Sequence, residues 1–411
     1  MDRRANACSA SPATSGSVES MLAAMRPVLA LVLALGCAKS PAAPPTAVDD
    51  TGTPSEAGED AGPTADDLDA VLEPIRAAND LPSLTAAVFD DRGVLAIGAV
   101  GLRKLGDPTT VTKNDVWHLG SDTKAMTATL TALLVEEGIV KWTTTMAEAF
   151  PEWATSMDPG YRDVTLKMLL SHRGGAPANV PGDLWAEMWK PGISADQRKA
   201  AVQGMLLRPP ETTPGTYVYA NAGYLMVGAA LEKATKKSWE SLTSERIFGK
   251  LAMPSCGYGY AATLGMVDQP WGHSMKGTKL TPVPPGPQAD NPPSLGPAGT
   301  VHCGLVDWAK FLRVHLVGAQ GGATLVSAPS VKELQTPWAG GDYALGWIVT
   351  SRTWAGGTVL THSGSNTMNF ATVWIAPKKN RILVAATNRG DDTAAKGVDA
   401  AFGPLIERYV K

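Results

Sequence analysis

Ser121 and Lys124 stand three residues apart in "HLGSDTKAMTATL", His118 to Leu130, at what reads as the first turn of an amphipathic helix. At that spacing two helical side chains share a face, so an amine can reach a hydroxyl. A serine hydroxyl is a poor nucleophile until a nearby base takes its proton. Lysine serves as that base only while its amine is neutral, which requires desolvation or nearby positive charge. A helix N-terminus favours both conditions, because its unpaired N–H groups favour anionic character on Ser121 and its dipole disfavours a cation at Lys124. Alone the spacing says little. A chain of this length and composition yields roughly one Ser-x-x-Lys by chance, and an N-capping serine beside a solvated lysine is the commoner explanation of an isolated instance.

Two further stretches change that balance. "PGTYVYANAGYLMVG" holds Tyr219-Ala220-Asn221 directly before a helical pattern, and "TVLTHSGSNTMNF" holds His362-Ser363-Gly364 at the end of a β-rich run. Taken singly, Tyr219 reads as a core aromatic, Asn221 as a helix cap and His362 as a satisfied strand histidine. Taken in order, Ser-x-x-Lys, Tyr-x-Asn and His-x-Gly resemble the penicillin-recognising serine hydrolases. The branch they match best contains class C β-lactamases, D-alanyl-D-alanine carboxypeptidases, D-aminopeptidases and family VIII carboxylesterases. "VTLKMLLSHRGGAP", "GPAGTVHCGLVDWAKFL", "YALGWIV" and "FATVWIAPKKNRILVAATN" extend the resemblance over about Asp67 to Lys411.

The resemblance implies Ser121 as the acylated nucleophile, Lys124 as base or proton relay, and Tyr219 as the proton shuttle to leaving group and water. It implies that Asn221 bonds the substrate's amide or acyl side chain and that His362 and Gly364 line the strand beside the substrate. The backbone N–H groups of Ser121 and Ser365 form the implied oxyanion hole. No metal or organic cofactor is required. The implied substrate is a small ester, amide or D-amino-acid peptide. Where β-lactamases usually carry Lys-Thr-Gly, this chain has His362-Ser363-Gly364, so a permanent positive charge for a substrate carboxylate is missing. That departure favours an esterase or a D-amino-acid peptidase over an efficient β-lactamase. A second departure is the loss of the glycine-rich turn common shortly after this motif. The rival reading is a lipoprotein that binds penicillin or cell-wall peptide without turnover.

The elements that must position these residues follow from periodicity. "ADDLDAVLEPIRAANDL", from Ala65, reads as a helix with Leu68, Val71, Leu72 and Ile75 on one face. The next two apolar runs flank Asp90-Asp91-Arg92-Gly93, a hairpin signal. After Ser121 the pattern is helix and loop, with Met126, Leu130, Leu133 and Leu134 on a common face and Gly138 as a stop. Proline crowds the stretch from Pro282 to Pro297, which reads as a surface excursion. Beyond Asp342 come four short β-rich runs and a final helix over about Ala394 to Val410. The expected class is α+β: an antiparallel sheet built from N- and C-terminal strands and flanked by helices, with a mostly helical lobe inserted over about 125–310.

Composition bounds the rest. With 411 residues, 44% of them apolar, and a net charge of −3, the chain can bury a large core, and no basic excess points to nucleic acid. "MLAAMRPVLALVLALGC", Met21 to Cys37, has the basic start and short apolar run of a secretory signal, and its end resembles a bacterial lipobox. Residues 1–36 are therefore expected to be leader and signal peptide. The Pro/Ala/Asp-rich stretch over 37–66 reads as a linker after a lipidation candidate, Cys37, which would attach the protein to a membrane. Export to the periplasm or to a bacterial membrane surface follows, with the catalytic domain over 67–411. Cys256 and Cys303 remain in the folded part; one disulfide and two separate buried thiols both fit. No Cys-x-x-Cys or His-Glu-x-x-His spacing marks a zinc site.

Overall fold

The structure, a computed structural model, describes residues 65–322 and 324–411. The signal-like segment, Cys37 and nearly all of the linker lie outside the described residues. The chain begins with a two-residue strand β1 (Asp66–Asp67), helix α1 (Asp69–Ala78), and the hairpin of β2 (Ser83–Phe89) and β3 (Val94–Gly101). Helix α1 starts later than its periodicity predicts. Asp66 and Asp67 instead pair in parallel with Ala96 and Ile97, and Asp67 Oδ1 accepts the Asp69 N–H at 2.8 Å. The hairpin turn closes on Asp90, whose Oδ1 accepts the N–H groups of Arg92 at 2.8 Å and Gly93 at 3.0 Å.

Strand β4 (Val116–His118) leads into a tight 3-10 turn, Gly120–Asp122, and helix α2 (Thr123–Glu136). The lobe then carries α3 (Ser194–Leu206), α4 (Asn221–Thr235), β5 (Gly257–Tyr258), β6 (His273–Lys276), β7 (Lys279–Pro282) and β8 (Val301–Gly304). Helix α5 (Leu305–Ala319) returns the chain to the sheet, followed by β9 (Ile348–Arg352), β10 (Gly357–Ser365), β11 (Phe370–Ala376), β12 (Arg381–Thr387) and α6 (Asp392–Tyr409). The main sheet runs β1-β3-β2-β12-β11-β10-β9. It is antiparallel except at β1, and it is built from both ends of the domain: Thr85 of β2 faces Ala386 of β12, and Phe89 faces Ile382. Alternate residues point to opposite faces. Ala87, Phe89, Ile382 and Val384 join the core shared with the lobe, whereas their neighbours Val88 and Leu383 are buried on the other side, where α1 and α6 pack on each other and on the sheet.

The lobe is less purely helical than expected. β4, β8 and β5 form a three-stranded sheet and β6 pairs with β7. Cys303 in β8 is joined by a disulfide to Cys256, the residue before β5, with Cα atoms 4.1 Å apart. The proline-rich stretch corrects the sequence reading. It is no surface excursion: Asp290, Ser294, Leu295 and Pro297 are buried in it. Two 3-10 turns, Pro287–Ala289 and Pro293–Leu295, and a short helix, Gly296–Gly299, each carry a proline at their first or second position, where its fixed φ suits a first helical turn and its missing N–H is not needed.

Helix α2 is buried on nearly its whole circumference, with Thr123 to Ala132 all inside. Leu133, placed on the core face by its period, is only half-buried; a helix enclosed on all sides has no single apolar stripe. One buried cation ties the lobe together. Arg198 on α3 is fully enclosed, donates to Glu232, to Glu240 at 2.5 Å and through Nε to Ser294 O at 2.8 Å. Arg198→Ala leaves two carboxylates without their partner, so we expect a loss of about 3 kcal/mol in urea-denaturation stability. A change within experimental error would show that the two glutamates are solvated rather than dependent on Arg198.

Candidate active site

Ser121 sits at the centre of the Gly120–Asp122 turn, where the main sheet meets the lobe. Strand β10 runs so close to this turn that no side chain fits between them. A Cβ on Gly364 would lie 1.9 Å from Leu119 O and 2.5 Å from Ser121 N, and a Cβ on Gly120 would lie 2.3 Å from Ser365 N. Gly120 also has φ +51°, a left-handed conformation that glycine adopts without strain. The main-chain nitrogens of Ser121 and Ser365 therefore flank one seam. Two N–H groups placed at such a seam beside a nucleophile can bind a developing oxyanion.

Lys124 lies one turn into the helical run. Its amine is fully buried and contacts three acceptors: Ser121 Oγ at 3.0 Å, Asn221 Oδ1 at 2.7 Å and Ala298 O at 2.7 Å. The three come from the nucleophile turn, the first residue of α4 and the short helix after the proline-rich stretch. Burial drives the Lys124 amine well below its ordinary value, only partly opposed by the nearby Asp122 carboxyl. In the neutral amine two N–H bonds satisfy Asn221 and Ala298, and the lone pair remains to receive the Ser121 proton. Asp122 responds in the opposite sense. Burial lifts its carboxyl well above the ordinary range, and neither of its oxygens has a hydrogen-bond partner, so the neutral acid is the favoured form.

Tyr219 covers the amine, with Lys124 Nζ 5.0 Å from its ring centroid. Burial pushes its phenol far above the usual range, and the neighbouring Ser121 side chain offsets part of the rise without forming an aligned hydrogen bond. His172 fixes Tyr219 from behind. Its Nδ1 accepts the Ala220 N–H at 3.0 Å and its ring lies 4.2 Å from the Tyr219 ring. Asn221 donates its amide Nδ2 to Asn179 Oδ1 at 2.9 Å while its oxygen holds Lys124.

The histidine of the His-x-Gly stretch corrects the sequence reading. The implied role for His362 was to line the substrate, but its ring is fully enclosed. Nδ1 donates to Ser363 O at 2.9 Å and Nε2 accepts from Tyr343 Oη at 3.0 Å. Burial and the nearby Lys124 push the imidazole down to about 3, so the ring is neutral and both nitrogens are engaged inside the protein. What β10 offers a ligand is its main chain at Gly364 and Ser365. The loop that lacks the second glycine turn is shaped by Asn366, whose Oδ1 accepts the N–H groups of Met368 and Asn369 at 3.1 and 2.9 Å, with Thr367 at φ +72°.

Ser121, Lys124, Tyr219, Asn221, His362, Gly364 and Ser365 thus converge, and Cys256 and Cys303 are joined away from them. Asp122, His172, Ala298, Tyr343 and Asn366 were not singled out from sequence. Asp122 lies inside the Ser-x-x-Lys motif itself, and His172 and Tyr343 lie in the quoted stretches "LLSHRGG" and "YALGWIV", but no spacing rule links them to Ser121. Among the described residues no group of three or more His, Cys, Asp or Glu side chains is placed to hold a metal ion.

Residues 68–405 match the family model described as Beta-lactamase. Penicillin-binding protein 4 of Amycolatopsis lactamdurans is 28% identical over 341 residues, spanning 79% of this chain and 85% of its own. Unguisins hydrolase ungD of Aspergillus violaceofuscus is 31% identical over 186 residues, 42% of this chain and 31% of its own. Among solved structures, a D-stereospecific amidohydrolase from Streptomyces superposes with a TM-score of 0.63 at 20% identity, over 82% of this chain and 97% of that one. An octameric penicillin-binding protein homologue from Pyrococcus abyssi gives 0.65 at 20% identity, over 83% and 78%. These two share the fold.

Two outcomes follow from the geometry. Lys124 can take the Ser121 proton only as the neutral amine, and burial holds its value well below 10.5, so we expect activity to be lost as pH falls through that lowered value and to be flat above it. Tyr219, raised above 10.0, adds no second rise. A kcat/KM profile still climbing at pH 10 would remove neutral Lys124 as the base. Gly364→Ala forces the seam open; we expect kcat to fall by at least roughly 100-fold, the size of losing an oxyanion donor, while far-UV circular dichroism stays native. Unchanged turnover would place the seam outside the reaction.

Proposed function

The chain belongs to the β-lactamase family of serine hydrolases, and on that premise we propose that it is an exported enzyme that cleaves an ester or amide through an acyl-enzyme on Ser121. The observation that carries this reading is the fully buried Lys124 amine 3.0 Å from Ser121 Oγ. The amine takes the hydroxyl proton as Oγ attacks the carbonyl carbon. The oxygen of the tetrahedral intermediate takes up the N–H groups of Ser121 and Ser365. The Lys124 ammonium then returns its proton through the Tyr219 phenol to the leaving alcohol or amine, and the C–O or C–N bond breaks. Water repeats the sequence on the ester of Ser121, releasing the acid and restoring the hydroxyl. Tyr219 works here as a phenol rather than a phenolate, since burial disfavours its ionisation.

Substrate choice follows from His362. A neutral, internally bonded ring supplies no fixed cation for a carboxylate next to the scissile bond, so the reading favours small esters or D-amino-acid amides over β-lactams. A D-stereospecific amidohydrolase among the similar structures supports the amide side. The similarity to a penicillin-binding protein supports a second reading, acylation by penicillin without turnover. Export rests on the signal-like Met21–Cys37, with Cys37 as the candidate for lipid attachment; a disulfide between Cys256 and Cys303 is consistent with an oxidising compartment.

The test is purified protein against p-nitrophenyl esters of graded length, D-alanyl peptides and nitrocefin, with Ser121→Ala as control. We expect ester or D-peptide turnover to exceed nitrocefin turnover, and Ser121→Ala to lose at least roughly 1,000-fold in kcat together with fluorophosphonate labelling. Undiminished labelling of Ser121→Ala would exclude Ser121 as nucleophile. One equivalent of stable penicillin adduct with no ester or peptide turnover would establish the second reading.

A further inference from the structure

Behind the seam, three buried polar side chains that no catalytic step uses form one connected chain. His118 ends β4, three residues before Ser121. Its Nδ1 accepts the Gly120 N–H at 3.1 Å, so its ring proton sits on Nε2, which faces Asp290 Oδ2 at 2.8 Å. Both side chains are almost completely enclosed, at 5% and 4% exposure. Asp290 belongs to the proline-rich stretch, and its other oxygen accepts from Asn291 N at 2.7 Å and Asn366 Nδ2 at 3.1 Å. Asn366 follows Ser365 and uses its own oxygen to hold the turn at Met368 and Asn369. The chain therefore starts at the residue before the nucleophile and ends at the residue after the second main-chain donor of the seam.

Desolvated groups of this kind cost stability unless every partner is in place. Here every polar atom of the three side chains is bonded, and the two ends fix the turn and the strand whose separation sets the oxyanion hole. We propose that His118, Asp290 and Asn366 are positioning residues that hold the N–H groups of Ser121 and Ser365 at the separation an oxyanion requires. This rests on Ser121 being the nucleophile. The device acts on the transition state more than on the bound ester, because only the tetrahedral oxygen draws fully on both donors. It also explains why a proline-rich segment is buried: its Asp290 secures the turn, and its neighbour Ala298 secures the amine.

The test uses the full chain and four variants, with Ser121→Ala as control. Asp290→Asn keeps the shape but places an amide N–H either against His118 or against Asn291 and Asn366, and Asn366→Asp sets two carboxyl groups facing each other. The double variant replaces that carboxyl pair with a donor–acceptor pair between positions 290 and 366, leaving only the Asn291 N–H without its acceptor. His118→Asn retains an acceptor within reach of Gly120 but is too short for Asp290. Readouts are kcat and KM for a p-nitrophenyl ester, the affinity of an alkylboronic acid, whose tetrahedral adduct on Ser121 mimics the oxyanion, and the melting temperature. We expect Asp290→Asn and Asn366→Asp each to lose roughly 10- to 100-fold in kcat and in boronate affinity, the range of a lost supporting partner, with KM within about threefold. The double variant should bind the boronate more tightly than Asn366→Asp, because it removes the contact between two carboxyl groups. A folded Asp290→Asn with unchanged boronate affinity overturns the proposal, as does a double variant no tighter than Asn366→Asp. Should the 290 variants fail to fold, His118→Asn decides: a fivefold or greater loss in boronate affinity supports it, and native affinity overturns it. If Ser121→Ala keeps its turnover, the nucleophile assignment falls. If Ser121→Ala is inactive while Asp290→Asn keeps native kcat and boronate affinity, only the positioning role falls.

Discussion

An amine held out of water without an ion-pairing carboxylate is the constraint on which this structure turns. Lys124 is enclosed on every side, and its nearest carboxyl, Asp122, is itself pushed toward the neutral acid. Such a group is tolerated only when each N–H finds an acceptor. The three acceptors come from segments far apart in sequence, at Ser121, Asn221 and Ala298. Satisfying one nitrogen therefore fixes the nucleophile turn, the start of α4 and the end of the proline-rich stretch relative to one another. The geometry that keeps the amine neutral also assembles the site around it.

The second element of the assembly is main chain against main chain. Gly120 and Gly364 let the nucleophile turn approach β10 more closely than any side chain permits. A wall made of backbone has no rotamers, so the seam is as rigid as the sheet that carries it. His362 belongs to this scaffold rather than to the cleft. By accepting from Tyr343 it uses the strand position from which a cation could face a ligand to tie β10 to the segment before β9. The change from lysine to histidine thus alters the architecture as well as the charge.

Much of this was legible in the residues themselves. Apolar, β-rich runs and turn chemistry marked β2, β3 and the terminal strands, because strands covered on both faces read as nearly continuous apolar runs and Asp90 closes its turn locally. Ser121, Lys124, Tyr219 and Asn221 were legible because their order along the chain is improbable by chance. The missing parts share one physical cause: they are made by contacts between distant segments. Proline content could not reveal that Pro297 O accepts from Thr127 at 2.7 Å, and a single period could not show that α2 is enclosed all round. Nothing local to His362 indicated that its ring turns inward, since that depends on Tyr343 standing opposite.

The pairing of β2 with β12 also imposes an order in time. A ribosome delivers β2 and β3 early and β12 almost a whole domain later, so the edge of β2 that faces Arg381–Thr387 stays without its partner until synthesis is nearly over. An apolar strand with an open edge is the kind of surface that recruits other chains, and pairings this distant along a sequence form slowly. The lobe packs many of its helices on one another, and although the sheet completes its core, it can begin to condense while the first hairpin waits. The nascent chain thus passes through a stage in which Ser121 and Lys124 are already made, but the strand that completes their seam does not yet exist. Hydrolytic competence arrives only with the last strands, as the final event of folding rather than an early one.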